Sequence, residues 1–281
     1  MEIEKIKCKI ITPLLMTGAD GRTPELRPPS IKGMMRFWWR AVNGHLSLEE
    51  LKKRESDLFG ASNEKVGKSK IRIRIQSGEL DQGNYFLLPH KNMGRVKVIS
   101  PNQDLSIILS SYSNIQDYSD ILNLCLILGG FGKRSRRGFG SLEPEDINLE
   151  IEDILELINR VGSSNYDMKG EKIVLKESFL QESQYPYLKE VIFGGEYEKW
   201  EEVLESIGTA SSKCCNRSLG FTSSKGRLAS PIYVSVLKNS NGRYFPIIST
   251  LNTVFNKDST KKANFSVQDK LVQDKFKAMI L

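Results

Sequence analysis

The chain has 281 residues and a mass of 31.8 kDa, with 39% hydrophobic and 27% charged residues, which excludes fibrous and disordered classes and leaves room for two ordinary domains. No apolar run reaches the roughly 20 residues that span a bilayer, and the opening Met1-Glu2-Ile3-Glu4-Lys5 has no signal-peptide core, so a cytoplasmic chain with no membrane partner is expected. The formal net charge is +7, which by itself says little about partners.

In chain order, a first strand is expected over residues 3–11, carried by Ile3, Ile6, Cys8, Ile10 and Ile11. A polar loop rich in Thr, Gly, Asp and Pro follows. Ser30 reads as the N-cap of a helix over residues 31–42, with Ile31, Met34, Met35, Trp38 and Val42 on its apolar face. A second helix is expected over residues 48–58. Residues 70–76 alternate cleanly and predict a half-exposed strand with a basic outer face. Strands are expected over 85–88 and 105–109, then a helix over 117–128, a glycine-rich segment over 129–140 and a short return strand. This is the element order of a ferredoxin-like, RNA-recognition-type α+β domain, assigned to residues 1–145.

Residues 146–281 are expected to hold a second, decorated ferredoxin-like domain. The elements expected there are acidic helices over 151–161 and 196–207, a strand over 172–176, a hairpin of strands 232–237 and 244–249 around an Asn-Gly turn, and a closing amphipathic helix over 267–280.

The charge is segregated along the chain. Residues 145–205 hold sixteen acids and six bases, a balance of −10, so the remainder balances to +17. Residues 206–257 contain seven bases and no acid, and residues 121–142 contain four bases and no acid. Such separation builds a positive field over part of the surface and favours a polyanionic partner.

Three segments concentrate that charge. The first is 129–140, with five glycines and the bases Lys133, Arg134, Arg136 and Arg137. Glycine permits positive φ and close backbone approach, and arginine binds phosphate bidentately. The spacing does not fit a mononucleotide P-loop or a dinucleotide fingerprint. Phe131 and Phe139 read mainly as anchors of the loop. The second is the first helix, where Lys32, Arg36 and Arg40 form a stripe with Trp39 beside it, either stacking on a base or packing on the neighbouring helix. Arg27 precedes the helix N-terminus, where free N–H groups favour an anion. The third is 223–231, with Lys225 and Arg227.

Catalytic patterns are poor. The two histidines, His45 and His90, lie far apart in sequence, and no paired carboxylate or nucleophile motif is present. A metal-free ribonuclease needs only an acid and a base near a bound phosphate, which keeps His45 as a rival possibility. Four cysteines with no histidine cluster give no metal site, and no cofactor is expected.

Residues 26–40, Leu-Arg-Pro-Pro-Ser-Ile-Lys-Gly-Met-Met-Arg-Phe-Trp-Trp-Arg, with Leu58-Phe59-Gly60 and the run Arg136-Arg137-Gly138-Phe139-Gly140, resemble the RAMP superfamily of CRISPR-associated proteins. Within it, the Phe-Trp-Trp-Arg helix is most similar to the family of first subunits of Cmr (type III-B) effector complexes. The resemblance implies two ferredoxin-like domains and membership of a ribonucleoprotein with other Cmr subunits, CRISPR RNA and target RNA as partners. It also implies RNA binding towards the RNA 3′ end without cleavage, in antiviral defence, with metal-independent processing of CRISPR transcripts as the rival activity. The RNA-binding residues expected are Arg27, Lys32, Arg36, Trp39, Arg40, Lys133, Arg134, Arg136, Arg137, Lys225 and Arg227.

Overall fold

A computed structural model describes residues 1–61, 67–145, 149–179, 185–223, 226–252 and 270–281. Its first sheet is built from β1 (Glu2–Ile10), β2 (Ile71–Ser77), β5 (Asp104–Ser111) and β6 (Leu142–Pro144), in the antiparallel order β2-β5-β1-β6. Helix α1 (Pro28–Val42) links β1 to β2, with α2 (Leu48–Phe59) after it, and α3 (Ile115–Leu128) links β5 to β6. This is the ferredoxin-like pattern. It arises because Ile6, Cys8 and Ile10 on β1, Ile71 and Ile73 on β2, and Leu105, Ile107 and Leu109 on β5 all fall on one face and bury against α1 and α3. A hairpin of β3 (Gln82–Leu88) and β4 (Met93–Ile99) is inserted between β2 and β5.

The second sheet comprises β7 (Tyr166–Met168), β8 (Lys172–Leu175), β9 (Leu188–Phe193), β12 (Ile232–Lys238) and β13 (Tyr244–Leu251), in the antiparallel order β12-β13-β9-β8-β7. The run β9, α5 (Trp200–Lys213), β12, β13, α6 (Lys270–Ala278) repeats the ferredoxin order, but β8, which precedes β9, fills the position of the final strand beside it, with β7 outside. The design is therefore permuted. A short hairpin of β10 (Phe221–Ser223) and β11 (Gly226–Leu228) lies between α5 and β12. Helix α4 (Ile151–Gly162) packs on α1 and α3.

Sheet two is covered on both sides. Val203, Leu204 and Ile207 of α5 and Phe276 of α6 pack with Val234, Val236 and Ile248 on one face. Tyr233, Leu237, Phe245 and Ile247 on the other join α1, α3 and α4 in the larger core. Helix α3 is thus buried nearly all round, as its unbroken apolar run requires. The two sheets meet edge to edge at β6 and β12, where Ser141 Oγ accepts from Val236 N (3.0 Å) and a Glu143 carboxylate oxygen accepts from Lys238 N.

Several expectations are corrected. The first helix starts at Pro28, not after a Ser30 cap, because two prolines preset helical φ at its opening positions; no side chain caps it. The second acidic helix runs Trp200–Lys213 rather than 196–207. Strands β4, β7, β9, β10 and β11 were not expected. The closing helix is described from Lys270; residues 267–269 of the expected span lie outside the described residues.

Candidate functional site

The glycine-rich segment leaves α3, turns, and returns into β6. Its conformation depends on glycine at two points: Gly132 (φ +82°) and Gly140 (φ +66°) would each drive a Cβ to within 2.2 Å of a carbonyl oxygen, that of Leu15 or Phe131. Some of the N–H groups expected to be free in the loop are taken within the chain. Phe131 N donates to Gly140 O, Lys133 N to Leu15 O, Gly140 N to Pro13 O and Arg137 N to Arg134 O. Phe131 and Phe139 are both buried and anchor the loop.

The basic side chains of the loop divide into two kinds. Arg137 is a bolt: its guanidinium donates to the carbonyls of Arg136, Ile232 and Leu219 and to Ser230 Oγ at 2.9–3.2 Å, and lies 5.3 Å from the Phe276 ring centre. Burial, with Arg134 and Arg136 nearby, pulls its pKa down to about 10. Arg136 donates to Ser230 O and sits 4.4 Å over Tyr233 and 5.4 Å over Phe37. Arg137 was expected to hold a phosphate, but its fork is filled by acceptors from its own loop and from the second half of the chain. Lys133 remains exposed, with a 3.3 Å bond to Gly21 O. The half-buried Arg134, at φ +63°, stacks 5.7 Å from Phe139 and keeps a buried Nε without a partner.

On α1, Trp39 is 6% exposed and belongs to the core. Its ring offers no open face, which corrects the stacking expectation: α1 is packed by α2, α3, α4 and β2, so more than one side of the helix is buried. Arg36 Nε (2.6 Å) and Arg40 Nη1 share the Oε1 of the buried Glu55 of α2, which cancels half their charge. Lys32 donates to Ser69 Oγ and Ile71 O, and burial with Arg36 nearby lowers its pKa. Even so, Lys32, Arg36, Lys68 and Arg72 line an open groove beside Pro28 and Gly33, with no carboxylate in its lining among the described residues. The helix N-terminus itself presents no free donors, because Pro28 and Pro29 lack N–H groups and Ser30 and Ile31 bond to Arg27 O. The anion site expected there reduces to the helix dipole and Arg27, whose side chain has no ion pair among the described residues.

The structure does bring the three segments together. Arg136 touches Phe37 of α1, Lys133 is tied to Leu15, and Arg27 N to the neighbouring Met16 Sδ (3.1 Å). Ser230, just beyond the β10–β11 hairpin, receives Arg136 and Arg137, so the exposed Arg227 stands beside the loop. Lys225 lies outside the described residues.

Two residues the sequence did not suggest also arrive. His90 and Lys91, at the turn of the β3–β4 hairpin, reach the loop because the His90 ring packs on Gly208 of α5, where a Cβ would meet Nδ1 at 2.3 Å. Burial, Lys91 and Arg134 together lower the His90 pKa. No signal in the sequence links that turn to the loop. His45, by contrast, lies past the opposite end of α1, a helix of about 22 Å. Its Nδ1 is 2.6 Å from Asn165 Nδ2, its ring meets Phe179, and burial lowers its pKa. No group of three metal-ligating side chains and no helix able to cross a membrane occurs among the described residues.

With this geometry in place, known proteins give a consistent answer. The family model of the RAMP superfamily matches residues 7–143. The CRISPR system Cmr subunit Cmr1-2 of Pyrococcus furiosus is 32% identical over a 175-residue alignment, spanning 48% of this chain and 91% of that one. Its counterpart Cmr1-1 is 28% identical over 236 residues, spanning 72% and 69%. The crystal structure of apo Cmr1 from Pyrococcus furiosus superposes with a TM-score of 0.63 at 21% identity, over 100% of this chain and 96% of that one. A chain of type III-B Cmr-β bound to cognate target RNA gives 0.60 at 12% identity, over 99% of each. These likenesses of fold agree with two ferredoxin-like sheets, and the sequence relatives decide the matter: the chain belongs to the RAMP superfamily and, within it, to the Cmr1 subunits of the CRISPR Cmr system.

Proposed function

We propose that this chain is a non-catalytic, cytoplasmic RNA-binding subunit of a type III-B CRISPR RNA-guided effector complex. It holds the 3′ region of the CRISPR RNA, the paired target RNA or both, with other Cmr subunits as neighbours and its two halves dividing near residue 145. The observation that carries this reading is convergence. Arg27, Lys133, Arg134, Arg227 and Lys91 come from four distant stretches, none has a carboxylate within 4 Å among the described residues, and Arg136 and Arg137 fasten their segments together. The basic groove along α1 adds Lys32 and Arg36, with Arg40 one turn further along the helix. The Cmr1 names of the relatives and the target RNA in the Cmr-β structure support it. The separation of His45 from these cations supports binding over cleavage.

The test is a Lys133→Ala/Arg134→Ala variant of the full chain, titrated with labelled CRISPR RNA at several salt concentrations. Losing two phosphate contacts lowers the log–log salt slope by about 1.4. An unchanged slope removes the loop from the RNA path. Cleavage of RNA in EDTA that disappears in His45→Ala establishes the ribonuclease instead.

A further inference from the structure

Sheet two is buried on both faces, but the outer face of sheet one is left to solvent. The strand register lays that face out in rows. Arg72 opposes Ser110, which opposes Ile3; Arg74 opposes Ile108, which opposes Lys5; Gln76 opposes Ser106, which opposes Lys7. The long side chains of β2 and β1 therefore form two ridges, two strand spacings or about 10 Å apart. Between them the half-buried Ser106, Ile108 and Ser110 of β5 floor a trough. Tyr112, just past the end of β5, is 87% exposed, and Ile3 beside it is 62% exposed.

We infer that this trough is a second binding surface, for a single strand of nucleic acid, with Tyr112 stacking on an unpaired base and Lys5, Arg72 and Arg74 holding its phosphates. Among the described residues those three cations have no carboxylate within 4 Å. Among the described residues, the ion pairs of this face lie at its far end, where Lys9 faces Asp104 (3.7 Å) and Lys7 faces Glu145 (3.9 Å). An open aromatic ring flanked by free cations suits an unpaired strand, since stacking needs a base with an uncovered face. A protein partner fits less well, because lysine is depleted in protein interfaces and one ridge carries Lys5 and Lys7. The surface is separate from the loop site proposed above and meets its groove only at Arg72.

The experiment uses the full chain with fluorescently labelled oligouridylate and oligothymidylate, read by anisotropy across salt. Lys5→Ala/Arg74→Ala is expected to weaken binding about tenfold and to lower the slope by about 1.4. Tyr112→Ala weakens binding about tenfold with the slope retained. All three side chains are exposed, and an unchanged thermal midpoint excludes misfolding. A preference for the uridylate assigns the face to RNA, and equal affinity assigns it to either strand. The same substitutions in the Lys133→Ala/Arg134→Ala background keep their effect, because the surfaces are distinct; an inert loop variant therefore leaves this inference standing. Wild-type affinity and slope in both open-face variants overturn it, as does loss of co-purifying Cmr subunits with nucleic-acid binding intact, which makes the face a protein dock.

Discussion

Arg137→Ala separates two jobs a basic loop can do. The guanidinium lies among the carbonyls of Arg136, Leu219 and Ile232, the Ser230 hydroxyl and the Phe276 ring. Truncation leaves buried carbonyls without donors, at about 1 kcal/mol for each hydrogen bond lost, and removes the ring contact. The sum is about 4 kcal/mol. At about 2–4 °C per kcal/mol for a chain of this size, the thermal midpoint falls by about 10 °C. Circular dichroism against temperature measures it, and RNA anisotropy below the transition shows whether affinity falls as well. Arg137→Lys recovers only part of the loss, because one ammonium cannot reach acceptors spread around a planar fork. A midpoint within 2 °C of the wild type (roughly the spread of a single surface change) combined with weakened RNA binding would refute the bolt and return Arg137 to the ligand.

Glu55→Gln keeps the shape that Arg36 and Arg40 grip but removes the shared negative charge. It is expected to lower stability by about 1–2 kcal/mol, seen in urea unfolding, and to tighten RNA binding while steepening the salt slope by about 0.7; an unaltered slope takes the α1 stripe off the RNA path. His45 and His90 both have folded pKa values below the usual 6.5, chiefly from burial, so the unfolded chain binds protons first as pH falls. Stability present above pH 6.5 is therefore lost on acidification through that value. The thermal midpoint should drop with acid below about pH 6.5 and drop less in His45→Gln; identical pH profiles for the two proteins would contradict the assignment.

The first half was readable because its strands and helices obey simple periods: inner residues of β1, β2 and β5 alternate, and α1 and α3 fall between them in ferredoxin order. The second half hid its central strand. Leu188–Phe193 carries Lys189 and Glu190 within six residues, and a strand covered on both faces later in the chain shows no alternation. Nor does sequence order reveal that β8 fills the place of a final strand, since that pairing is set by tertiary packing. Burial decides between the two readings of Trp39, base stacking or packing on a neighbouring helix, in favour of packing. A helical wheel identifies one buried face, whereas α1 is covered from several sides. The glycines of the loop were correctly linked to unusual backbone geometry, and at Gly132 and Gly140 the structural reason is close packing on Leu15 and Phe131. Glu55 was invisible as a partner of Arg36 and Arg40, because it belongs to another helix.

The seam between β6 and β12 has a consequence for how the protein is made. Ser141 and Glu143 leave the ribosome long before Val236 and Lys238, the donors they accept from. Until those residues emerge, the far side of α3 has no cover, and afterwards β12 would present a bare strand edge if the N-terminal half were missing. Each half thus guards the other's adhesive surface, so that gene fragments ending or starting near residue 145 should yield aggregating polypeptides, whereas the two expressed together should rescue one another.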